Sequence, residues 1–248
     1  MTGKSDEESI SAKNNNTEAD YSDLYPGRKN ASPSSESWIS KIPFFRSESF
    51  DKIKCETNVY SCLKDSPLIK LMVAALKSSG CEIDIGRHIS CEICDERVTG
   101  GYDQALNQII VCQNTATTKG RVHSTLGHEM IHMFDCCRNN VELNNIKHLA
   151  CTEIRAANLC HCSFLGAFAR QTASPFNIKN AHQRCVQDKA VRSVVAIKNV
   201  SQDVAKEAVM QVFDKCYNDL EPVGRRIRRN SLDMKKAYLE GPLYGYTE

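Results

Sequence analysis

Hydrophobic positions fall into blocks of different period along the chain. Leu68, Leu71, Met72, Ala75 and Leu76 recur at helical spacing. Ser66-Pro67 opens that block as a cap followed by proline at the first helical position, and Gly80 stands where a C-terminal cap belongs. Between 81 and 113 the pattern reads as β. Gly100-Gly101 separates CEICDERV from YDQALNQIIVC, which predicts a hairpin or two strands with a tight turn at the glycines. The helical period returns over about Lys119–Arg138 and, after a polar turn at Asn139–Asn145, over about Ile146–Cys160. Two more helices are predicted, at about Asn180–Lys198 and from the cap Ser201. The second carries Val204, Ala208, Val212 and Cys216 on one face and ends at Pro222.

The ends of the chain read differently. Residues 1–40 are polar, Ser- and Asn-rich and poor in aliphatics, too little apolar surface to offset the entropy of ordering, so this segment is predicted to be disordered. Ile42, Phe44, Phe45 and Phe50 are candidate anchors of 41–65 on the core. Arg225, Arg226, Arg228 and Arg229 mark a basic tail, expected to be solvated, with acidic lipid or a partner as the rival reading. The expected organisation is a tail at 1–40, one domain at 41–222 and a basic tail at 223–248. The expected fold class is α+β, a small antiparallel sheet followed by a mainly helical C-terminal half.

Composition adds three constraints. Lys plus Arg number 32 and Asp plus Glu 30, so no whole-chain affinity for nucleic acid is expected. No stretch is apolar enough to span a bilayer, and the N-terminus has neither an apolar signal core nor the Arg-rich, acid-poor character of a presequence. Thirteen cysteines are too many for a reducing compartment without a metal or redox role, and an odd number leaves at least one thiol over if the rest pair within the chain. Cys91-x-x-Cys94 reads as a disulfide, as ordinary buried cysteines, or, joined by Cys81 and Cys112, as a structural zinc site.

The chemistry lies in TLGHEMIHMFD, an H-E-x-x-H motif inside a predicted helix. Residues i and i+4 lie one turn apart on one face, so His128 and His132 can offer two imidazole nitrogens to one zinc ion. Glu129 is rotated by about 100°, which directs its carboxylate at a metal-bound water rather than the metal, as a base for attack on a carbonyl. A third ligand is still needed. A histidine six residues after His132, as in the long metzincin motif, is excluded, since Arg138 stands there. Glu153 on the next predicted helix is the favoured third ligand. Asp135 lies about 10 Å along the axis from His128, too far for a shared ion, and suits the role of orienting a ligand histidine from behind. His148 is a second candidate for that role. Arg155 or Tyr102 could stabilise an oxyanion, although ordinary packing roles are the favoured reading for both.

GHEMIHMFD followed by IKHLACTEIRAANL resembles the mitochondrial inner membrane protease family ATP twenty-three, the Ku-binding protein type of zinc metallopeptidase. SGCEIDIGRHISCEICDERVTGGYD, IIVCQN, CVQDKAVRSV and VFDKCYNDLEPVGR agree in the same order, over roughly 52–226. The resemblance implies a zincin-like metallopeptidase with one catalytic Zn2+, held by His128 and His132 with Glu129 as catalyst. It implies a peripheral protein on the intermembrane-space face of the inner membrane. Its expected substrate is a polypeptide, an ATP synthase membrane subunit, and it is expected to assist ATP synthase assembly. An assembly chaperone with dispensable peptidase activity and a nuclear DNA-repair interactor are the alternatives. Oxidative import is also implied. The family's recurring cysteines match Cys55, Cys81, Cys91, Cys94, Cys112, Cys137, Cys151, Cys162, Cys185 and Cys216, whereas Cys62, Cys136 and Cys160 look like additions. The segment LCHCSFLGAF departs from the family pattern.

Overall fold

In a computed structural model of the chain, the residues described are 24–25, 45–163, 177–228 and 231–247. The tail at 1–40 therefore lies outside the described residues except for Leu24 and Tyr25.

Among the described residues the first helix is α1 (Phe45–Asp65), where the sequence suggested no more than an anchoring segment. It is followed by α2 (Pro67–Ser78), begun as expected by Ser66, whose hydroxyl accepts from the Ile69 N–H. A helical turn, α3 (Ile85–His88), leads into β1 (Ile89–Glu92), β2 (Gly100–Asp103) and β3 (Gln108–Cys112). These form one sheet in the order β1-β3-β2.

The sheet is mixed rather than antiparallel. β2 pairs antiparallel with β3, but β1 runs parallel to it, Ile89 against Ile109. Gly100 and Gly101 also lie in β2 itself; the turn comes after Asp103, with Asn107 in the left-handed region. The glycines serve close approach. A Cβ on Gly100 would overlap Thr125 of the helix below, and one on Gly101 would overlap the Tyr25 hydroxyl on the opposite face.

Helix α4 (Lys119–Arg138) starts at Thr118, whose hydroxyl caps the Arg121 N–H. Helix α5 (Ile146–Ala156) starts at the cap Asn145 and widens into a π-helical turn over Ala157–His161. α6 (Ile178–Lys198), α7 (Gln202–Asn218), α8 (Asp233–Glu240) and a 3-10 turn at Gly241–Tyr244 complete the described fold, which is α+β. Residues 223–247, set apart in the sequence reading, send Val223, Ile227 and Ala237 into the core. Their arginines have partners: Arg225 pairs with Glu240, Arg228 with Asp233, and Arg226 stacks on Tyr217. Arg229 lies outside the described residues.

Besides a small cluster of Cys94, Ile110 and Cys112 on the sheet, two large hydrophobic clusters result. One joins α1, α2, the sheet and α4, with Leu126, Met130 and Phe134 fully buried; the other joins α5, α6 and α7 around Ile154, Val194 and Val209. Five disulfides staple them. Cys55–Cys91 and Cys81–Cys137 bind the first, Cys94–Cys112 the small one on the sheet, and Cys151–Cys216 and Cys162–Cys185 the second. The ten cysteines matched to the family are the ten in disulfides; Cys62, Cys136 and Cys160 are free. A Cys81/Cys91/Cys94/Cys112 zinc site is thereby ruled out, and Cys91 and Cys94 do not pair with each other. Cys151–Cys216 spans 65 residues. Replacing both cysteines by serine is expected to cost about 2–5 kcal/mol, roughly 5–15 °C in Tm by thermal unfolding. An unchanged Tm would mean that this link is not formed.

Candidate metal centre

The site sits where the two clusters meet, at the crossing of α4 and α5. One face of α4 is spent on the first core, and the face toward α5 carries buried polar groups: Glu129, His132 and Asp135, with His128 partly exposed. One helical turn sets the His128 and His132 rings 4.7 Å apart, with their Nε2 atoms at 3.0 Å. His128, Glu129 and His132 form a group able to hold a metal ion. From α5, Glu153 closes the set. Its Oε2 lies 3.5 Å from His128 Nε2 and its Oε1 3.5 Å from His132 Nε2. Donors bonded to a tetrahedral zinc at 2.0–2.2 Å stand about 3.3–3.5 Å apart; each Glu153 oxygen stands at that spacing from its own histidine, and the two nitrogens are slightly closer together.

The hydrogen bonds behind His132 fix its tautomer. Asp135 accepts on both oxygens from the Arg155 guanidinium, and its Oδ2 also accepts from the Thr152 hydroxyl at 2.7 Å. With its one proton given to Asp135, Thr152 can only accept from His132 Nδ1, at 2.8 Å. Nδ1 of His132 therefore carries the proton and Nε2 keeps its lone pair for a metal. Asp135 stands behind His132, but through Thr152, a residue to which the sequence pointed no role. On the other side, His128 Nδ1 lies 2.9 Å from Nε2 of His161, whose Nδ1 lies 3.2 Å from the Ser124 hydroxyl.

Burial and charge set the proton affinities. Burial pushes the Glu129 carboxyl up to about 7, opposed by His128 and helped by Glu153. Burial also works against a charged Glu153, but His132, His128 and a hydrogen bond from Ser193 of α6 outweigh it and hold the carboxyl at about 2. Burial, His128 and Lys189 push His161 down to about 3.

The remaining candidates are not brought in. His148 is exposed, and its Nδ1 accepts from the Glu142 N–H at 3.2 Å. Arg155 is committed to Asp135, Asp219 and the Glu221 carbonyl, and the Tyr102 hydroxyl donates to Asn107.

Residues 53–224 match the profile of the Peptidase M76 family, a span that contains every residue of this site. The chain belongs to that family. Among curated relatives, the mitochondrial inner membrane protease ATP23 homolog of Xenopus laevis is 43% identical over 217 residues, 87% of this chain and 88% of the relative. The homolog from Homo sapiens is 43% identical over 73% of this chain and 74% of its own length. Mitochondrial inner membrane protease atp23 of Schizosaccharomyces pombe is 36% identical over 71% of this chain and 95% of its own. No solved structure matches the chain. Beside the metal-ligand candidates of this M76 peptidase, a polar cavity of about 590 Å³ lies between Glu96, Thr99, Asn114 and the α4 residues Arg121, Ser124 and Thr125.

Proposed function

We propose that the chain is a zinc-dependent endopeptidase of the mitochondrial inner membrane, working on its intermembrane-space side. The observation that carries the chemistry is the buried triangle of His128, His132 and Glu153 with Glu129 beside it. Two neutral imidazoles and one carboxylate suit zinc and leave a position for water. When bound, the ion would supply Lewis acidity to the scissile carbonyl and acidity to its water.

The chain's own groups do the rest. Glu129 takes the proton of the attacking water and returns it to the departing amine, a task suited to a carboxyl raised toward neutrality. Thr152 and Asp135 keep His132 in its ligating tautomer. The polar cavity along α4 offers an approach for an extended peptide.

The setting rests on other support. The relatives are named mitochondrial inner membrane proteases. Five disulfides suit entry by an oxidative import route. No helix among the described residues is long and apolar enough to cross a membrane. Peripheral attachment, processing of an ATP synthase membrane subunit and help in ATP synthase assembly rest on the family resemblance.

The oxidised full-length chain is expected to hold one zinc ion by elemental analysis and to cleave an unstructured polypeptide. Chelation should abolish cleavage and added zinc restore it. Cleavage that survives complete metal removal would refute the reading.

A further inference from the structure

His161 belongs to LCHCSFLGAF, the segment that departs from the family pattern, so the resemblance assigns it no role. We infer that His161 is a positioning residue built into this chain's own π-helical turn. It accepts the Nδ1 proton of His128 and so holds His128 Nε2 toward the metal. The inference rests on the zinc reading above and goes beyond it.

The geometry starts with the helix. His161 is eight residues beyond Glu153, which in an unbroken α-helix leaves it roughly 80° from the Glu153 face. The last turn of α5 is not α-helical. The Cys162 N–H donates to the Ala157 carbonyl at 2.8 Å, an i→i+5 bond. Each wider step turns less, and over Ala157–His161 the shortfall brings residue 161 back roughly onto the Glu153 face. Both side chains of α5 then point at α4.

The turn is held on several sides. The Asn158 side-chain amide donates to the Tyr217 carbonyl, His182 Nε2 donates to the Cys162 carbonyl, and Cys162 is linked to Cys185. On the α4 side, a Cβ on Gly127 would already touch Cys160 Sγ at 3.4 Å, so glycine lets the turn approach closely.

The ring is also oriented from outside. A His128 that keeps its Nε2 lone pair for a metal carries its proton on Nδ1, and the atom facing that proton at 2.9 Å is His161 Nε2, so His161 accepts there and its own proton sits on Nδ1, 3.2 Å from Ser124 Oγ. Ligating histidines ordinarily give that proton to a carboxylate, a carbonyl or water. Here an imidazole receives it, while His132 uses the Thr152 hydroxyl. The two ligands are thus braced by unlike partners, one from the body of α5 and one from its π turn.

The test measures zinc binding rather than cleavage. Full-length oxidised wild type, His161→Leu and His161→Gln are titrated with a chromophoric chelator at one pH, and each is loaded with cobalt for its visible spectrum. His161→Leu is expected to weaken zinc binding 10–100-fold and to shift the cobalt bands. His161→Gln, whose Oε1 can accept where Nε2 did, is expected to recover most of both. Circular dichroism and the disulfide count check that each variant is folded. Wild-type affinity and spectrum in the Leu variant, or equal losses in both variants, would overturn the inference. Failure of the wild type itself to bind zinc would instead sink the zinc reading.

Discussion

Glu129→Gln is expected to lower kcat for peptide cleavage by roughly 10²–10⁴-fold while leaving zinc content at the wild-type level. The substitution keeps the size and hydrogen-bonding reach of the side chain and removes its basicity. Glu129 is 7% exposed and stands beside the triangle rather than in it, so the metal should be retained. Equal cleavage by the two proteins would refute the assigned base. A pH profile adds a second reading. The base works when deprotonated, so kcat/KM should rise with pH through the pKa of Glu129. Burial sets that carboxyl at about 7 without a metal, and a bound cation pulls it lower, so the acid limb should lie below pH 7 in the loaded enzyme.

Glu153→Gln is expected to weaken zinc retention by 100-fold or more, whereas Asp135→Asn weakens it less, on the order of tenfold. Glu153 supplies the anionic donor and touches both imidazoles. Asp135 acts at one remove, through Thr152. The two variants should separate in stability as well. Asp135→Asn removes the buried one of the two carboxylates on the Arg155 guanidinium and leaves only the half-exposed Asp219, a loss of up to about 3–5 kcal/mol by the usual cost of breaking such a pair. Glu153→Gln removes a buried carboxylate that His132, His128 and Ser193 stabilise, so metal-free protein should lose stability there too, but less than with Asp135→Asn, since the amide oxygen can still accept from the same neighbours. Chelator titration and thermal melts of metal-free samples read the two effects independently. The opposite order of zinc affinities would exchange the roles of Glu153 and Asp135.

The parts that could be read in the sequence are those with a local signature. α2, α4, α5 and α7 were legible by their period, and α2 and α7 also by the caps Ser66 and Ser201. His128, Glu129 and His132 are local too, since one helical turn brings them together. Glu153 needed one more step, the antiparallel return of the next helix. What was missed depends on other parts of the chain. α1 has few aliphatic residues at helical spacing and gains its order by packing Cys55, Val59 and Cys62 on the core. Gly100-Gly101 looked like a turn, because a strand glycine kept for close approach has the same letters as a turn glycine. The direction of β1 is set by which edge of β3 it reaches, which its own four residues do not encode. Thr152 is invisible until Asp135 is known to lie behind His132. His161 is invisible because a regular helix would have turned it aside. His148 failed for the opposite reason, being near in sequence but placed on the exposed side of α5.

Cys151 lies two residues before Glu153 and is joined to α7, while Cys162, one residue after His161, is joined to α6. The histidines of α4 belong to the other cluster. None of the five disulfides crosses from α5 to α4, so side-chain contacts, such as those of Asp135 with Thr152 and Arg155, hold the α5 acid against the α4 imidazoles. The metal centre is thus a joint between two separately riveted plates: thiol reduction loosens each plate, while the joint itself is closed by hydrogen bonds and ion pairs, with no disulfide across it.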